Sequence, residues 1–409
     1  MRVIAVLCLA AAAAAGAASV AVAQAPDTIR MRLAWRVSEG EHPTADSLGE
    51  LSGIALDRAG NVYVSDFSAT KIWVFDRAGR SQPGIGRKGQ GPGEFQAPTG
   101  LGITRDGGRL YVRDQVRVSR FAKDAATGRL TRYDSSFTGP TMNDWRSTRS
   151  TRFDSAGRLY YPKFNSIDRT KGTGLFLRYT STGVRTDSIA VPAFPDAPAS
   201  TAFVRLSAGG GRMLRGVNHV PFAPFPTWDM TTRGTLLMGD GQSYAIRETD
   251  ASGRELRVYR RTIPPVRIPA QERQDSAAAL RARLDSISAT VPLDRIEGMP
   301  PDVRAGRLPE TYPPYMAAYG GEDGRTWVRR WAPGGRETIF DVFDPDGRLR
   351  AVVVLPNAIA ILPTPVLSLD GIAAIRIDAE TGGYTVVRFT PIGARTSERP
   401  SNRANSGPR

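Results

Sequence analysis

Two stretches of this chain copy one another at an interval close to 47 residues, and that periodicity restricts its possible folds more than any other feature. Residues 51–57 and 60–66 alternate apolar and polar positions on either side of a Gly turn, and residues 71–76 follow before Gly79. This pattern predicts three short antiparallel strands. It recurs over residues 99–104, 108–114 and 117–121, with Gly53 to Gly100 spaced 47 and Asp66 to Asp114 spaced 48. Repeats of ~20–50 residues belong to solenoids, propellers and related arrays, in which one unit cannot bury its apolar face alone.

The turn between the first two strands of a unit can be followed as Gly60, Gly108, Gly157, Gly234, Gly324 and Gly371. A second turn, after a strand that ends in an aromatic or aliphatic residue, recurs in register at Gly79, Gly128, Gly183, Gly253, Gly347 and Gly393. Two series of six imply six units. The 77- and 90-residue intervals after Gly157 and Gly234 then mark insertions. Sheets of four short strands arranged around an axis form a β-propeller, so the expected fold is all-β with six blades. The sixth unit runs out after its third strand at Phe389, whereas residues 30–37 read as a strand with no unit of their own. Pairing this N-terminal strand with the last blade would close the ring and remove a free edge.

The run Gly89-Gln90-Gly91-Pro92-Gly93-Glu94-Phe95-Gln96-Ala97-Pro98-Thr99-Gly100, followed by Arg109-Leu110-Tyr111-Val112-Arg113-Asp114, resembles the NHL repeat of six-bladed propellers in the TolB-like superfamily, of the exported bacterial type. The resemblance is specific in the first two units. The remaining units keep only the turn and strand pattern, and Ala69 stands where NHL repeats usually carry Asn.

Residues 1–23 combine Arg2, an apolar run and Ala21-Val22-Ala23, the pattern of a cleavable signal peptide, which places the mature chain outside the cytoplasm, periplasmic or secreted. The single cysteine, Cys8, falls inside that run, so the mature chain would have neither disulfides nor thiolate metal sites. Export makes nucleic acid a poor partner for the net charge of +15, in which 50 Arg and 5 Lys, without a long basic run, outweigh 40 Asp and Glu. The apolar residues 351–367 are broken by Pro356, Pro363 and Pro365, so no membrane span is expected in the mature chain.

The domain assignment is a propeller over 24–393, carrying a helical insertion at about 269–307, with a disordered basic tail at 394–409. Leu280, Leu284 and Ile287 give the insertion its helical spacing. His42 and His219 fall in no zinc or nucleophile motif. Loops that lead into the inner strands carry Trp145, His219, Phe222, Phe225, Trp228, Tyr312 and Tyr315, a candidate recognition surface at the channel mouth. The expected function is a monomeric binding or scaffold module for a protein, peptide or glycan, without a cofactor. The alternative is a calcium-dependent lactonase-like or esterase-like hydrolase, with Glu50 and Asp229 as catalytic candidates and Glu50, Asn143, Asp144 and Asp229 as oxygen ligands.

Overall fold

In the computed structural model, the described residues are 26–38, 40, 48–139, 151–164, 174–192, 201–208, 211–288, 296–297, 301–378 and 380–393. The signal-like segment, the C-terminal tail and residues 143–145 lie outside them. Six blades surround the axis. Blade one comprises Leu51–Leu56, Val62–Asp66, Lys71–Phe75 and Ser81–Ile85. Blade two comprises Pro98–Ile103, Arg109–Asp114, Arg117–Ala122 and Arg132–Thr138, and blade three comprises Arg152–Phe153, Leu159–Phe164, Gly174–Tyr179 and Arg185–Val191. Blade four holds Thr227–Met230, Leu236–Gly239, Ala245–Thr249 and Glu255–Arg260, and blade five Ala317–Gly320, Thr326–Arg330, Thr338–Phe343 and Leu349–Leu355.

Blade six is built from both ends of the chain. A short inner segment pairs Val366 with Ala373, followed by Ile372–Ile377 and Tyr384–Pro391. The N-terminal strand Asp27–Ser38 supplies its outer edge, antiparallel, with Leu33 opposite Phe389 and Ser38 opposite Thr385. The same strand also pairs in parallel with blade five, Asp27 opposite Ala351 and Arg30 opposite Val354, a second attachment that the sequence pattern does not reveal. One strand therefore joins two blades into a seven-stranded sheet.

Alternate residues of each second strand face opposite neighbours, because successive side chains in a strand point to opposite sides. Tyr63 packs toward Leu110 and Val112 of blade two, whereas Val62 and Val64 pack toward Ala373 and Ile375 of blade six. Trp327 meets Ile372 and Ala374 across the blade five–six boundary, together with Met31 of the N-terminal strand. The core is thus divided among the spaces between blades. The inner-to-second-strand turns define a lower face, and their glycines occupy positive φ, as at Gly60 (φ 90°). In blade two that role falls to Gly107 (φ 71°), one residue before the glycine expected from the repeat, because the turn there is a residue longer: Thr104 N bonds Arg109 O where Asp57 N bonds Asn61 O.

The insertions gather on the upper face, where the chain enters each inner strand. Between blades three and four, Thr201–Ala208 and Gly211–His219 form a hairpin, joined by Ile296–Glu297 into a small sheet with no counterpart in the repeat. The helix Ala270–Ser288 and the short helix Pro301–Arg304 complete the second insertion. Leu280 and Leu284 bury one face of the longer helix against Val220, Phe222, Ile268 and Tyr312, so it packs on the propeller. Among the described residues no helix is long and apolar enough to cross a membrane.

Candidate functional site

The loops that carry the aromatic residues reach different places. Trp228 is buried between blades three and four, edge-on to Phe176 at 5.6 Å. Tyr315 is fully buried between blades four and five, where its hydroxyl accepts the Gly241 N–H at 2.8 Å. Phe225 is half-buried, with its backbone tight against Gly241. His219 ends a strand of the upper hairpin, its backbone opposite Thr201. Trp145 falls outside the described residues. Trp228 belongs to the inner strand itself and alternation turns it into the gap between blades, whereas Tyr315, two residues before its inner strand, is drawn into the next gap by packing and by its bond to Gly241.

Phe222 and Tyr312 do come together. Their rings meet edge-on at 5.7 Å, and Tyr312 stacks on Trp331 at 5.2 Å. Trp331, which the sequence reading missed, comes from the loop after the second strand of blade five, and no spacing signal distinguishes it there. These three rings line a groove of about 1120 Å³ between the upper edges of blades four and five. Its walls include Pro264, Pro265, Pro313 and Pro314, which fix the backbone on both sides. The helical insertion holds the groove from behind through Glu272, whose carboxylate accepts the Tyr312 O–H at 2.6 Å and the Gly334 N–H at 3.3 Å. Burial, then that carboxylate, pushes the Tyr312 hydroxyl well above its ordinary range, so it stays a donor.

A buried charge underlies the groove. Asp341 is wholly buried, accepts the Tyr244 O–H at 2.5 Å, and pairs with Arg261 and with Arg330 at 3.4 Å. Burial and the adjacent carboxylate keep the Tyr244 hydroxyl protonated far above its usual value. Arg261, Tyr244 and Arg330 all line the groove, so its polar floor is pre-ordered.

The two proposed oxygen ligands among the described residues, Glu50 and Asp229, belong to different blades. Glu50 is exposed at the upper entry to blade one, with its amide bonded to Ser68 Oγ at 2.6 Å. Asp229 is buried in the inner strand of blade four, with its oxygens already taken by Arg152 Nη2 (2.7 Å), Met230 N (2.9 Å) and Gly320 N (3.1 Å). Arg152 also pairs with Glu322 at 2.9 Å. A calcium ion at Asp229 would have to displace a guanidinium, so this donor set does not fit one. Asn143 and Asp144 lie outside the described residues. Among the described residues no cluster of three or more His, Cys, Asp or Glu side chains could hold a metal ion.

Residues 45–169 match the sequence profile of DUF5128, a family described as a six-bladed beta-propeller. The chain is a six-bladed β-propeller. Among curated proteins none matches it in sequence. Its fold is similar to that of virginiamycin B lyase from Staphylococcus aureus, at 12% identity and a TM-score of 0.39, covering 88% of this chain and 99% of that one. A DUF4221 member from Bacteroides vulgatus is similar at 12% identity and a TM-score of 0.44, covering 87% and 96%. Regucalcin from Agrobacterium tumefaciens, a calcium-binding protein, is similar at 11% identity and a TM-score of 0.35, covering 89% and 96%. Such distant likeness says nothing about what this chain binds.

Proposed function

We propose that this propeller is an extracytoplasmic binding module that takes an extended peptide segment of a partner protein into the upper groove between blades four and five. The observation that carries the reading is the meeting of Phe222, Tyr312 and Trp331 along a proline-walled groove over a pre-ordered polar floor. Aromatic-lined grooves receive extended, proline-rich peptides well because such a segment is largely ordered before it docks, and rigid walls lower the ordering cost on the receptor side. The size of the groove agrees with this reading: at about 1120 Å³ it exceeds the ~300–1,000 Å³ of ordinary small-molecule sites. The extracytoplasmic assignment rests on the signal-like residues 1–23, and the relation to NHL repeats on the Gly89 to Gly100 loop.

The test is selection of a random displayed peptide library on the immobilised full chain. Enriched peptides should lose at least ten-fold in affinity on Val266→Asp, which places a charge on a 38%-exposed groove residue, and on Trp331→Ala. They should bind Ile392→Asp, on the lower face, as they bind the unaltered chain. Enriched peptides indifferent to both groove variants, or no enrichment at all, would refute the reading.

A further inference from the structure

The lower face carries a second, chemically different cavity. It has a volume of about 680 Å³ and extends from the axis to the seam between blades six and one. Its lining contains six arginines, Arg32, Arg58, Arg77, Arg105, Arg152 and Arg388, against three carboxylates, Asp57, Glu322 and Asp370. Two of those carboxylates are already engaged. Asp57 accepts the Asn61 side chain at 2.8 Å and the Tyr63 hydroxyl at 3.1 Å, and Glu322 pairs with Arg152. Among the described residues none of Arg32, Arg58, Arg77, Arg105 or Arg388 has a carboxylate within ion-pair distance.

Three of these cations are seated on glycines. A Cβ on Gly371 would lie 2.6 Å from Arg388 Nη1, one on Gly60 would lie 3.1 Å from Arg77 Cγ, and one on Gly107 would lie 3.3 Å from Arg58 Cδ. Each missing side chain opens the space that a guanidinium stem occupies. The arginines are further held by neutral carbonyls, which orient them without cancelling charge: Arg58 donates to the Arg105 carbonyl, and Arg105 Nη1 to that of Glu322 at 2.7 Å, across the axis from blade two to blade five. Trp35 bonds the Arg77 carbonyl at 3.1 Å and so fixes the turn that presents it. Arg388 is half-buried, and its guanidinium is lowered to about 10 by burial and by Arg77 beside it. Thr390 Oγ1, also on the lining, is buried without a hydrogen-bond partner.

Asp370 acts on Arg388 and Asp106 on Arg58 from beyond ion-pair distance, so the excess of cations is reduced but not cancelled. Like charges confined together oppose folding, and perturbed, incompletely compensated groups in a cleft mark binding sites. The floor is apolar, formed by Ile54, Leu101, Phe153 and Val366 of the inner strands. The volume lies within the range of small-molecule sites. We propose that this cavity binds a small organic phosphate, its oxyanion held by Arg77, Arg388 and Arg58 and its apolar body resting on the inner strands. The site is separate from the upper groove and does not depend on the peptide reading.

The test is calorimetric titration of the full chain at low, matched ionic strength with phenyl phosphate, inorganic phosphate and sodium chloride. Phenyl phosphate should bind one per chain and more tightly than inorganic phosphate, and chloride should give no saturable signal. Arg77→Gln and Arg388→Gln should each weaken phenyl phosphate at least ten-fold, while Arg283→Gln on the exposed side of the helical insertion leaves it unchanged. Arg77 is exposed, so its variant keeps the fold, and relief of repulsion should leave both variants at least as heat-stable as the parent. Equal loss in Arg283→Gln, binding of chloride to the same extent, or inorganic phosphate binding as tightly as phenyl phosphate would overturn the proposal.

Discussion

Arg152 Nη2 lies 2.7 Å from Asp229 Oδ2, and this pair ties the inner strand of blade three to that of blade four with both side chains almost excluded from solvent. Burying two charges costs several kcal/mol per ion, and the cost is offset only while both remain paired.

Removing one partner should therefore be worse than removing both. Asp229→Leu is expected to lower stability by about 3–5 kcal/mol in urea unfolding, while Arg152→Met with Asp229→Leu should recover only the part due to the unpaired guanidinium, because the Met230 and Gly320 amides still lose their acceptor. Calcium should not raise the melting temperature of the unaltered chain, since its most buried candidate ligand is already saturated with N–H donors. A calcium-dependent rise abolished by Asp229→Asn would restore the hydrolase reading.

Ring closure makes a similar claim testable at the seam. Met31 is 2% exposed and packs with Trp327, Phe340 and Phe389, so Met31→Ala should cost about 2–5 kcal/mol. Ile392, 61% exposed just beyond the same sheet, should tolerate Ala within about 0.5 kcal/mol. Amide exchange should accelerate in Tyr384–Pro391 for the first variant alone.

Asp66 staples the entry loop of blade one to its own second strand. Its carboxylate accepts the Gly49 N–H at 2.8 Å, the Ala69 N–H at 2.9 Å and the Trp73 indole N–H at 2.9 Å. In blade two Asp114 does the same for the Gln96 and Ala97 amides. Asp66→Ala would strand several buried donors, and losing each costs about 1–3 kcal/mol, so a loss of at least ~2 kcal/mol is expected by denaturant titration.

Stability should fall at both extremes of pH. Hydrogen bonds from Ser252 and then Arg254 lower the Asp250 carboxyl to about 2, and Arg178 lowers that of Asp187. A depressed folded value stabilises above the unfolded one, so this contribution is present above about pH 4 and disappears as pH falls through about 2. Burial pushes Tyr160 and Tyr259 up to about 12. Their contribution is complete below about pH 10, where unfolded tyrosine ionises, and is lost as pH rises through 12. Absorbance at the tyrosinate band should show a class of tyrosines titrating near 12. Ionisation of every tyrosine near 10 would contradict it.

The blade count was legible because Gly60, Gly157, Gly234 and Gly324 perform the same backbone task in each unit, and a positive φ selects glycine wherever it recurs. Asp66 and Asp114 were legible as a spacing because they satisfy the same amides. Blade four keeps a carboxylate at the equivalent place, the half-buried Asp240, but it caps the Gln242 and Ser243 amides of its own turn; blade five carries Arg330 there, and the resemblance fades. The upper hairpin was hidden, since an inserted sheet has no second copy to be compared with. The lower cavity was missed for another reason. Asp57-Arg58-Ala59-Gly60 and Asp76-Arg77-Ala78-Gly79 repeat one tetrapeptide at two turns of blade one, a signal present in the sequence, but one that general basicity conceals. Nothing in linear order brings Arg388 to them.

The N-terminal strand has a kinetic consequence. Its partners, Leu349–Leu355 and Tyr384–Pro391, lie more than 300 residues further along the chain, so the strand can pair only once almost all of the intervening chain is in place. Until then blades five and six each present an unpaired edge, the kind that recruits neighbouring chains. Contacts of this sequence separation form slowly, and the interval before the circle locks is when proteases and like copies have their best access to the chain.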